Sequence, residues 1–204
     1  MSLLLIVAVV VFLIFIFIGV QKRKKVRLRA AFIETYIFPQ RLQQQLKVKY
    51  PHLTDDQCDR VIDGLREYFQ LNLMARKQMV AMPSQVVDIA WHEFILFTRH
   101  YDAFCKQGLG RFLHHTPAEA MQSPTQAQEG IKQAWRLSCR RENIDPKKPT
   151  RLPLLFALDA ELSIPDGFIY ELDCKGLKDQ GYCASHIGGC GGDSDGCSGG
   201  CGGD

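Results

Sequence analysis

The chain has 204 residues, 46% of them hydrophobic and 23% charged, with a formal net charge of +3, which is room for one domain plus appendages. Six of its 25 basic residues sit in one short flank, Lys22 to Arg29, so the remainder carries 19 basic against 22 acidic residues. A body without a basic excess lacks the electrostatic footprint of a nucleic-acid binder, which sets that class of partner aside.

Leu3 to Val20 is an unbroken apolar run apart from Gly19. Eighteen helical residues span roughly 27 Å at ~1.5 Å per residue, enough to cross a bilayer core of ~30 Å. No basic stretch precedes the run and no small-x-small site follows it, so an uncleaved anchor is expected rather than a signal peptide. Lys22, Arg23, Lys24, Lys25, Arg27 and Arg29 follow, with no acid before Glu34. Cytoplasmic flanks hold the excess of Lys and Arg. The expectation is a single-pass inner-membrane protein with its N-terminus outside and its body cytoplasmic. The same flank is placed to meet lipid headgroups.

Phe32, Ile33, Tyr36 and Ile37 carry a helical pattern out of the span, ended by Pro39. Pro39 opens a second helix bearing Leu42 and Leu46, which Pro51 closes. Thr54-Asp55-Asp56-Gln57 reads as a capping box, and the helix behind it sets Val61, Leu65, Tyr68 and Phe69 on one stripe as far as about Arg76. Ser84 is the next N-cap. Its helix is expected from Gln85 to Lys106, with Gly108 and Gly110 stopping it. Thr116-Pro117 marks another helix start. A further helix spans Thr125 to Glu142, and Leu152 to Leu162 suits one more short helix. Phe168-Ile169-Tyr170 is too brief to assign. The fold class is therefore all-α: an N-terminal transmembrane helix (1–29), a compact bundle of short helices (30–172) and a Gly/Cys-rich tail (173–204). The tail ends in GGCGGDSDGCSGGCGGD, which buries too little to offset chain entropy and is expected to be disordered.

The residues that invite chemistry concentrate between Val86 and Pro117. Val87, Ala90, Trp91, Phe94, Thr98, Tyr101 and Cys105 recur at helical spacing and read as a core stripe. Asp88 and His92 lie one turn apart on a flank. Such a carboxylate orients a metal-ligating imidazole, or equally satisfies a buried structural one. His92-Glu93 resembles the start of a zinc-protease motif, but position 96 is Leu96 where a second His is required. His100 lies too far round the helix to chelate locally. His114 and His115 follow the glycine turn, so the chain can fold one of them back to His92, with Cys105 as a possible third ligand. A thiol enzyme built on Cys105 needs an activating neighbour, and no oxyanion or phosphate-loop pattern accompanies it. No catalytic residue is assigned.

In the tail, Cys183, His186, Cys190, Cys197 and Cys201 offer five soft ligands. Their types suit zinc, but the paired C-x2-C knuckles of structural zinc sites are missing. Cys58, Cys105 and Cys139 fall in apolar patterns and are expected in the core.

Val87-Asp88-Ile89-Ala90-Trp91-His92, with Tyr101-Asp102-Ala103-Phe104-Cys105, resembles the glycine-rich domain protein-like family of plants and bacteria, including membrane-anchored bacterial members with Gly/Cys-rich tails. The resemblance implies no defined activity. Members often carry a second His two residues after the first, where this chain has Phe94. The leading functional expectation is an interaction or scaffold protein held at the membrane and binding a protein partner. The alternatives are a metal-binding protein, with the tail Cys/His set or His92 and His114 as ligands to zinc, and a hydrolase or thiol enzyme.

Overall fold

The computed structural model describes residues 2–115, 124–172, 182–183 and 187. It is all-α, with seven α-helices and one π-helical turn among the described residues. The first helix, α1, runs unbroken over Ser2–Thr35. Its apolar half is long enough to cross a membrane, and none of that window is buried against the domain. Its last turns enter the core, where Ile33 is fully buried.

α2 (Arg41–Lys49) buries Leu42 and Leu46. α3 (Asp55–Ala75) begins on the capping box, with Gln57 N–H donating to Thr54 Oγ1 at 3.2 Å and Thr54 N–H to Gln57 Oε1 at 2.9 Å. This helix is the hub, packing on α1, α2, α4, α6 and α7. Gly64 makes part of that possible. A Cβ there would lie 2.6 Å from Leu158 and 2.9 Å from Val87, so only a bare Cα lets both neighbouring helices approach.

α4 (Gln85–Leu96) starts at Ser84, whose hydroxyl accepts from Val87 N–H at 3.3 Å. The single helix expected from Gln85 to Lys106 is instead broken at Phe97, where ψ is 55°. α5 (Thr98–Phe104) resumes after it, and a π turn, Cys105–Leu109, follows. The break has a packing cause. It swings Tyr101 and Phe104 onto Phe94, at ring-centroid distances of 5.4 and 5.3 Å, inside an aromatic cluster that includes Phe38 and Phe69. It also turns Thr98, expected on the stripe, out to solvent. Gly110 ends the segment at φ 72°, the left-handed conformation that glycine adopts at no cost.

α6 (Pro124–Arg141) and α7 (Leu154–Glu161) close the bundle through Trp135 and Phe156, which meet edge to face at 5.0 Å. The Thr116-Pro117 helix start lies outside the described residues. After α7, only Tyr170 of the stretch left unassigned in the sequence enters β1 (Tyr170–Glu171), which pairs in parallel with β2 (Tyr182–Cys183). Ile187 packs against the core.

Candidate metal centre

Asp88 and His92 share the outer flank of α4, while Trp91 on the neighbouring face is buried. His92 Nδ1 stands 3.3 Å from one Asp88 oxygen, and His115 Nε2 is 3.2 Å from the other. The imidazole rings lie 4.1 Å apart between centroids. One donor atom from each of the three residues falls within 4.8 Å of the other two. The side chain of His92 is 49% exposed, Asp88 23% and His115 15%.

That exposure separates the two sequence readings of Asp88 and His92. A buried structural histidine needs a partner to avoid an unsatisfied nitrogen. A half-exposed one is satisfied by water and has no such need. His115 is part-buried, so the Asp88 carboxylate satisfies its ring nitrogen, while the half-exposed His92 ring stands beside the same carboxylate without that need.

His115 reaches the site because the segment before it is tied at every step. Gly110 N–H closes the π turn on Cys105 O at 2.8 Å. Arg111 Nε donates to Arg76 O at 2.9 Å, at the end of α3. The Tyr101 hydroxyl accepts from Trp91 Nε1 at 3.1 Å and donates to Leu113 O at 2.5 Å. Trp91 then packs its ring edge-on to His115 at 4.6 Å. Leu113 points into the core, so His114 points out and His115 points back in, the alternation of an extended segment.

His114 is therefore not part of the cluster. It is exposed, with its ring beside Phe112, and the neighbouring residue takes the place expected for it. Cys105 is fully buried in the core rather than offered to the histidines. Burial pushes its thiol pKa up, against lowering hydrogen bonds from the Leu113 backbone and Tyr101. This is the reverse of what a nucleophile requires. His100 is exposed beside Phe97. In the tail, the backbone of Cys183 lies in β2, while His186, Cys190, Cys197 and Cys201 lie outside the described residues.

The donor set, two imidazole nitrogens and a carboxylate, suits zinc and other first-row transition metals. A tetrahedral ion with bonds of ~2.0–2.1 Å requires donors about 3.3 Å apart. Each imidazole nitrogen stands at about that distance from a different Asp88 oxygen, so one ion held by a single carboxylate oxygen requires these side chains to rotate. Three protein ligands leave a fourth position for water.

No curated protein and no solved structure matches the chain. A family profile described as UCP032817-like matches residues 28–191. The resemblance to the glycine-rich domain protein-like family is thereby corrected, because no glycine-rich domain family matches. The short helix run that carried it is a small part of a match extending from the basic flank through the bundle and into the first tail cysteines. The chain belongs to the UCP032817-like family.

Proposed function

We propose that this chain is a single-pass inner-membrane protein whose helical domain, on the cytoplasmic side, binds a first-row transition metal of the zinc class. The observation that carries the reading is the convergence of Asp88, His92 and His115 at the surface. Asp88 supplies charge, and the two neutral imidazoles supply nitrogen lone pairs.

The membrane part of the proposal draws on the apolar half of α1 and the six basic residues behind it. Continuity of α1 into the core favours an uncleaved anchor. A purely interaction-bearing role stands second, because it has no comparable residue-level feature behind it. Zinc at the tail cysteines and His186 is a separate proposal that rests on ligand type alone.

The test is elemental analysis of the full chain purified in detergent. About one equivalent of metal is expected, falling at least ~100-fold in affinity on His115→Ala. Deleting Gly188 to Asp204 leaves that equivalent in place. A folded chain holding less than about a tenth of an equivalent contradicts the reading, and metal lost with the tail moves the site there.

A further inference from the structure

Two side-chain bridges fix the register of α3 against α1. Arg66 Nη1 donates to Ile33 O at 2.7 Å and Tyr36 O at 3.0 Å. One turn later, Gln70 Nε2 donates to Ala30 O at 2.9 Å and Glu34 Oε2 at 3.1 Å. Each step along α3 thus descends α1 toward its apolar run. Arg76 lies six residues past Gln70, about 9 Å further down at ~1.5 Å per residue, which is level with Lys24 and Lys25. From there to Val20 is a further ~6–8 Å, about the depth of one headgroup layer.

Arg76 and Lys77 are exposed at this end. Arg111 joins them through its bond to Arg76 O. The Arg29 guanidinium lies against Gly110, where a Cβ would meet it at 1.8 Å. Basic side chains from α1, from the end of α3 and from the loop after the π turn therefore gather at this end of the domain. The neighbouring acids are already engaged among the described residues: Asp102 by Lys106 at 2.6 Å, Glu129 by Lys132 at 3.0 Å and Glu34 by Gln70.

We infer that this rim is a lipid-docking surface, on which the folded domain rests its Arg76–Lys77 end against anionic phospholipid headgroups. The inference rests on the membrane reading of α1 and goes beyond it. A basic flank alone tethers a domain, whereas a rim contributed by the domain itself fixes its orientation. Attraction of this kind grows several-fold with each basic residue near an anionic surface and fades beyond a Debye length.

The test is hydrogen exchange on the full chain in nanodiscs of phosphatidylcholine, with and without phosphatidylglycerol. Amides around Arg76 to Gln78 are expected to exchange several-fold more slowly in the anionic bilayer. Raised salt and the double variant Arg76→Gln, Lys77→Gln remove that protection. Lys106→Gln keeps it, because Asp102 already holds that ammonium. Both variants change exposed side chains, and an unchanged melting temperature confirms that they fold. Equal exchange in both bilayers, in a chain that resists alkaline extraction, overturns the docking surface and leaves the anchor standing. Release of the chain by alkaline extraction overturns both.

Discussion

Asp88 is the residue on which the cluster turns, since each of its two oxygens faces a different imidazole. Replacing it with Asn keeps the shape and removes the charge, so metal affinity should fall with little change in folding. Cys105 makes the opposite case. Its thiol is buried, and burial raises its pKa above the ordinary 9.0. Cys58 and Cys139 share this cause, and Cys139 is pushed up to about 12. In the folded full chain these three thiols should resist iodoacetamide at pH 8 and react on unfolding. Rapid labelling of Cys105 in the native state would revive a thiol-enzyme role. The linkage has a definite sign. A raised thiol pKa favours the folded state below the unfolded value, and that stability is lost as pH rises through the folded one. Melting temperature should therefore drop above about pH 9. At this scale the sequence showed the Asp88–His92 pair directly, because helical spacing places both on one flank. The choice between His114 and His115 was also legible, in the inward demand of Leu113, but only once the segment is known to be extended rather than helical.

α4 is held from outside itself. The Asp159 carboxylate, 3% exposed, accepts from Ser84 Oγ at 2.7 Å, Gln85 N–H at 2.7 Å, Val86 N–H at 3.2 Å and Phe168 N–H at 2.8 Å. A charge at a helix N-terminus with four donors around it fixes where α4 begins and so where Asp88 and His92 stand. Asp159→Ala strands those donors and should cost on the order of 3 kcal/mol by denaturant unfolding. An unchanged midpoint would show that the cap is dispensable. Local signals placed most elements well: the Thr54 capping box, the Ser84 N-cap and the proline before α2. They failed at Phe97, because the break there answers to an aromatic cluster assembled from Phe38 in the α1–α2 connection, α3, α4 and α5, and no local pattern encodes that. Asp159 was missed for the same reason, its partners at the start of α4 being more than seventy residues away.

The whole molecule joins a long apolar helix directly to a bundle, so the domain's position follows from α1. Hydropathy and charge along the chain carry that arrangement, and helical periodicity with its start and stop signals marks the all-α class. The register of α3 on α1, and with it the basic rim, depends on Arg66 and Gln70 reaching backbone carbonyls, which sequence spacing does not reveal. The metal cluster likewise joins residues 88, 92 and 115 through a turn whose geometry only the folded chain supplies. The most direct test is a cobalt(II) absorption titration of the full chain in detergent beside His114→Ala and His115→Ala. Visible bands saturating at about one equivalent are expected in the wild type and in His114→Ala, and none in His115→Ala. Equal bands in His115→Ala, or their loss in His114→Ala alone, would contradict a site at Asp88, His92 and His115.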